Sequence, residues 1–135
     1  MSVDCERFCP DVRECCQETE MTLTRRDVER INALGYSTDD YVHRVMGGFC
    51  ELKNIDGHCY FYDTASKICR IYDARPEGCR WYPVVYHFVK RKCLADGDCP
   101  ASPTFTRDRI RKVCHKVKSL VELLRKEAAH GESPC

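Results

Sequence analysis

Twelve cysteines among 135 residues, two of them adjacent at Cys15 and Cys16, limit what this chain can fold into more than any other feature. Thiols at such density are either cross-linked as disulfides, which oxidising compartments permit, or held as thiolates on metal, which suits a reducing one. The start of the chain, Met1-Ser2-Val3-Asp4-Cys5-Glu6-Arg7, is charged from the outset. Nothing downstream supplies the roughly 7–15 apolar residues of a secretory core, or the roughly 20 of a membrane span. The expectation is therefore a cytoplasmic protein, not inserted in a membrane, whose cysteines hold metal.

A chain of this length buries about two-thirds of its unfolded surface, so its core is real but modest, and metal supplements it. The fold class expected is α+β: a small, irregular, metal-stabilised single domain over residues 1–135. A cysteine-rich module occupies residues 5–100 and a long amphipathic helix residues 105–129. Charge is uneven, with ten acids against five bases in residues 1–40 and three acids against eight bases in residues 104–130. The basic stretch reads as the solvated face of a helix docked near the acidic segment. Nucleic-acid binding is disfavoured, because no aromatic residues are interleaved there for base stacking. A protein partner stays open.

In the first third, Pro10 lies among Cys5, Cys9, Cys15 and Cys16 and breaks any helix, which predicts a loop. Thr24 followed by Asp27 is a capping-box pattern, predicting an N-terminal helix through Val28, Ile31 and Leu34 that stops at Gly35. A second short helix through Tyr41, Val42 and Val45 is expected to end at Gly47-Gly48. The middle third is rich in strand formers at residues 49–52, 58–62 and 68–72, with turns at Asp56-Gly57 and residues 63–67. Side chains alternate along a strand, so Cys59 and Cys69 share a face only if the loop between them is odd, or if one of them lies outside the ladder. Joint ligation predicts a loop of three or five residues with a bulge. Residues 73–78 are expected to form a tight turn. In the last third, Ile110, Val113, Val117, Leu120 and Leu124 recur at helical spacing.

Nine cysteines are candidate metal ligands: Cys5, Cys9, Cys15, Cys16, Cys59, Cys69, Cys79, Cys93 and Cys99. Zinc knuckles present two C-x2–4-C pairs, and this chain has one, Cys5-x3-Cys9. Iron–sulfur clusters accept thiolates from scattered loops, so the spacing favours a cluster over zinc. Adjacent side chains diverge in extended backbone, so one of Cys15 and Cys16 is expected to ligate while the other is spare or bridges to a second metal. Cys50, Cys114 and Cys135 are set aside, Cys114 as a buried free thiol of the helix and Cys135 as part of a fraying tail. Among the histidines, His58 beside Cys59 is the best placed. Arg75 and Arg80 flank Cys79 and could offset the net charge of about −2 that four thiolates leave around a divalent ion.

The whole pattern is Cys5-x3-Cys9, Cys15-Cys16, Leu23-Thr24-x2-Asp27-x2-Arg30-Ile31, Asp56-Gly57-x-Cys59-x-Phe61-x-Asp63, and Cys69-x-Ile71-Tyr72-x2-Arg75-Pro76-x2-Cys79-Arg80-x-Tyr82-Pro83. It resembles the CxxxCxxCC-motif (YkgJ-type) family of zinc- or iron-chelating proteins over residues 5–100. One departure is the stretch from Cys9 to Cys16, three residues longer than the family's Cys-Gly-x-Cys-Cys and without its glycine, which leaves open which of Cys9, Cys15 and Cys16 ligates. The resemblance implies metal binding by these cysteines. A similar constellation occurs in flagellin lysine methylases, but no glycine-rich loop for S-adenosylmethionine is present. Two functions remain from different classes. One is a cysteine-ligated metal-binding protein, with an iron–sulfur cluster or zinc serving redox chemistry or a partner; the other is a metal-dependent or thiol-based enzyme.

Overall fold

The capping pattern at Thr24 is realised atom by atom in the computed structural model, which describes residues 16–135. Thr24 Oγ1 accepts the Asp27 N–H and Asp27 Oδ2 accepts the Thr24 N–H, each at 3.0 Å. Helix α1 (Arg25–Asn32) follows and buries Val28 and Ile31. Leu34, expected on the same face, is 57% exposed because the helix has already ended at Asn32. Gly35, at φ +105°, takes the left-handed conformation that closes such an end.

The predicted second helix stops after one turn. Helix α2 (Thr38–Tyr41) gives way to strand β1 (Val42–Arg44), which pairs antiparallel with β2 (Cys50–Leu52). β-Branched Val42 fits this extended pairing better than a helix interior. Gly47 and Gly48 both have positive φ and serve the turn between the two strands rather than a helix stop. Three further hairpins follow. β3 (Asn54–Ile55) and β4 (His58–Cys59) flank Asp56-Gly57, where both residues are left-handed, as a two-residue hairpin turn demands. β5 (Tyr62–Asp63) pairs with β6 (Ile68–Cys69), and β7 (Val84–His87) with β8 (Lys92–Ala95). Between the second and third of these hairpins, residues 73–78 are not one tight turn. A single 3-10 turn, Tyr72–Ala74, leads through Pro76 into the short helix α3 (Glu77–Trp81).

Helix α4 (Arg107–Ala129) is the long amphipathic helix that the spacing of its apolar residues predicts. Its Val113 and Val117 pack with Val84, Cys93 and Phe105 in one buried cluster. A second cluster gathers Leu23, Val28, Ile31, Tyr41, Leu52, Phe61 and Ile71. Near its C-terminal end α4 is tied to α1, because the buried Glu127 carboxylate accepts the Arg25 N–H at 2.9 Å. The architecture is α+β, with four two-stranded antiparallel sheets and four α-helices among the described residues. None of these helices is long and apolar enough to cross a membrane.

Candidate metal centre

Segments distant in sequence bring four of the nine candidate cysteines to one place. The chain at 16–19 lies across the β3–β4 hairpin: Glu18 N–H donates to the Gly57 carbonyl at 2.8 Å and Thr19 N–H to Asn54 Oδ1 at 3.0 Å, while Asn54 Nδ2 returns a bond to the Thr19 carbonyl at 2.9 Å. That clasp sets Cys16 beside the strand that carries Cys59. Cys69 arrives from the next hairpin, opposite Tyr62, and Cys79 from the first turn of α3. Cys16, Cys59, Cys69 and Cys79 line one mainly apolar cavity of about 40 Å³, walled by Leu52, Phe61, Ile71, Tyr72, Arg75 and Pro76 among others.

Cys59 and Cys69 reach one cavity by the second of the two routes, each lying outside the other's ladder. The loop joining β5 and β6 has four residues, 64–67, and not the three or five expected. Cys59 instead belongs to the preceding hairpin, outside the ladder of Cys69, so the alternation rule does not relate them. The peptide units between two short ladders turn both thiols to the same cavity.

Segment 74–79 is held from α1. Asp27 Oδ1 accepts the Glu77 N–H at 3.0 Å, and Arg30 donates Nη2 to the Arg75 carbonyl at 2.8 Å and Nε to the Ala74 carbonyl at 3.3 Å. Asp27 and Arg30 are themselves paired at 2.9 Å. The capping pattern identifies Asp27 only as a helix-start residue; its second duty, fixing the backbone that carries Arg75 and Cys79, has no local signature. Arg80, by contrast, is not among the residues that line the cavity and donates Nη2 to the Asp73 carbonyl at 3.2 Å in an exposed position.

The remaining candidates separate from this group. Cys5, Cys9 and Cys15 lie outside the described residues. Cys93 is disulfide-bonded to Cys114, which corrects both the expected ligand and the expected free thiol: β8 packs on α4 with the two Cα atoms 5.8 Å apart, and a sulfur in that bond has no thiolate to offer. Cys99 is buried in the α4 cluster and does not line the cavity. Cys50 and Cys135 form a second disulfide, so the C-terminal tail is tethered at Cys135 rather than frayed. His58 has its Nδ1 3.1 Å from the Cys59 carbonyl and its ring in an edge-to-face contact with Tyr62, and is not part of the cavity lining.

Among the described residues, no three His, Cys, Asp or Glu side chains form a closed set able to hold an ion by themselves. The donors that do converge are nevertheless all sulfur, set in an apolar wall with a guanidinium alongside. Such a set fits the thiolate-preferring metals, zinc and iron in clusters, and not the oxygen-preferring calcium or magnesium.

A small α+β fold with short hairpins and a cysteine-lined cavity is the class of protein that fold and cavity define. Residues 4–114 match the CxxCxxCC family, described as "Putative zinc- or iron-chelating domain", and the chain belongs to that family. It is also similar to MJ0661, an uncharacterised protein of Methanocaldococcus jannaschii, with 36% identity over 74 residues, covering 51% of this chain and 40% of the relative. The chain thus matches less than half the length of that relative. No solved structure matches the chain.

Proposed function

We propose that this protein holds a metal on cysteine thiolates at the cavity between the 16–19 segment, the β4 and β6 hairpins and α3, drawing ligands from Cys16, Cys59, Cys69 and Cys79. The single observation that carries the reading is the convergence of four cysteines, from positions 63 residues apart at their extremes, on one cavity of about 40 Å³. That volume accommodates a few water molecules at most, and so supports one thiolate-bound ion, zinc or iron, better than a four-iron cluster. When bound, such an ion would cross-link these segments through their cysteine sulfurs. The chain's own residues contribute the donors, the dry wall of Leu52, Phe61 and Ile71, and the α1 clamp on the Cys79 segment.

An iron–sulfur cluster is the second reading. It is favoured by the irregular spacing of the cysteines, and would draw further thiolates from Cys5, Cys9 or Cys15. Anaerobic purification followed by metal and acid-labile sulfide analysis and a visible spectrum separates the two. One equivalent of zinc or iron without sulfide supports the single-ion centre, sulfide with broad visible absorption supports the cluster, and a metal-free, colourless protein overturns both.

A further inference from the structure

Four thiolates on a divalent ion carry a net charge of about −2, and a group in the surrounding wall has to answer that charge. Arg75 is the cation among the described residues that line the cavity. Its guanidinium is fixed two ways and its backbone a third. Nη1 donates to the Tyr72 carbonyl at 2.7 Å, the guanidinium carbon lies 4.1 Å from the Tyr72 ring centroid, and the residue's own carbonyl is gripped by Arg30. Among the donors these anchors do not use, Nε is buried and has no hydrogen-bond partner. No carboxylate among the described residues pairs with Arg75, whereas Arg26, Arg30 and Arg111 each have one. A cationic N–H buried without an acceptor is costly, and stacking on Tyr72 engages the face of the guanidinium, not its in-plane hydrogens.

Arg109 gives the comparison. Its Nε is also buried and without an acceptor, and it too stacks on a ring, Phe105, at 4.0 Å. Arg109 is not among the described residues that line the cavity of Cys16, Cys59, Cys69 and Cys79. Arg80, the other guanidinium beside Cys79 in sequence, spends its Nη2 on a backbone carbonyl at the surface.

We infer that Arg75 is a positioning residue of the metal centre, donating Nε–H to a metal-bound thiolate of the cavity. The inference rests on the metal-binding reading above. An N–H···S bond removes electron density from the sulfur, strengthens retention of the anionic centre and raises the energy of the thiolate-to-metal charge-transfer transition.

The test uses the full chain and cobalt(II) as the probe, with the wild type compared to Arg75→Gln, Arg75→Lys and Arg80→Gln. Arg75→Gln removes both charge and Nε–H; Arg75→Lys keeps the charge and loses the in-plane donor. The expected result is a fall of about 10–100-fold in cobalt(II) affinity for Arg75→Gln. At saturating cobalt(II) the sulfur charge-transfer band moves to longer wavelength in both Arg75 variants, and Arg80→Gln matches the wild type in both readings. A merely structural arginine would not move the band of the saturated protein. Should Arg75→Gln fail to fold by circular dichroism, the band position in Arg75→Lys decides. An unchanged band and affinity in a folded Arg75 variant overturns the inference alone. A wild type that takes up no cobalt(II), zinc or iron overturns the metal-binding reading, and this inference with it.

Discussion

The Asp27 carboxylate accepts the backbone N–H of Glu77, fifty residues away, at 3.0 Å. The same side chain, 1% exposed, also closes the capping box at Thr24 and pairs with Arg30. One buried carboxylate thus links the start of α1 to the segment that presents Arg75 and Cys79. Replacing Asp27 by Ala strands the Arg30 charge and two N–H donors together, and should destabilise the fold by about 3 kcal/mol, the lower end for a broken buried pair because Arg30 keeps some solvent. Urea unfolding measures this. A loss under 1 kcal/mol would show that the clamp is incidental.

The disulfide between Cys50 and Cys135 spans 85 residues of sequence and fastens the end of the chain to β2. Closing so long a loop restricts the unfolded chain, so Cys135→Ala should lower the stability of the oxidised protein by about 2–5 kcal/mol. Peptide mapping without reduction should join the peptide containing Cys50 to the C-terminal one, and that containing Cys93 to that containing Cys114. Complete alkylation of all four without prior reduction would contradict both bridges.

What was legible in the sequence was what is settled within a few residues. The Thr24–Asp27 box, the left-handed Asp56-Gly57 turn and the apolar stripe of α4 each depend on neighbours in the chain, and each is present. The short second helix failed because Val42 finds Leu52 across a sheet, a partner ten residues on that local propensity does not see. Cysteine roles divided along the same line. Cys59, Cys69 and Cys79 sit in the motif and reach the cavity. The pairing of Cys93 with Cys114 depends on how β8 packs against α4, which no spacing announces. The single-residue alternation rule could not relate Cys59 to Cys69 once they fell in separate hairpins.

Tyr41 is fully buried, with its hydroxyl 2.7 Å from Asn32 Oδ1 and 3.3 Å from the Val28 carbonyl. Burial, then the nearby Asp27 charge, pushes its pKa from 10.0 up to about 12. The unfolded chain therefore releases this proton near pH 10 and the folded one near pH 12. Between those values the native state binds more protons, so the contribution of Tyr41 to stability is complete below pH 10 and declines as the pH rises toward 12. Ultraviolet titration should show a late tyrosine ionisation that Tyr41→Phe removes. Tyr41→Phe should begin about 1 kcal/mol less stable at neutral pH, having lost a buried hydrogen bond, and then lose less than the wild type between pH 10 and 12. Equal slopes in the two proteins would refute the assignment.

The division of the cysteines into cavity and bridge sets makes the last prediction. Cys16→Ser, Cys59→Ser, Cys69→Ser and Cys79→Ser each replace a soft thiolate by a hydroxyl that holds zinc or iron poorly. Each should lower bound metal and destabilise the fold, since binding at a structural site is also folding energy, about 10–16 kcal/mol in apparent terms for zinc-finger peptides. Replacing Cys50, Cys114 and Cys135 together by Ala removes both disulfides and leaves the cavity lining intact. That variant should be less stable yet hold the same metal per chain after anaerobic purification. Metal analysis on the single and triple variants separates the two effects. Metal lost from the triple variant in proportion to the cysteines removed, or retained in full by Cys69→Ser and Cys79→Ser, would place the centre elsewhere.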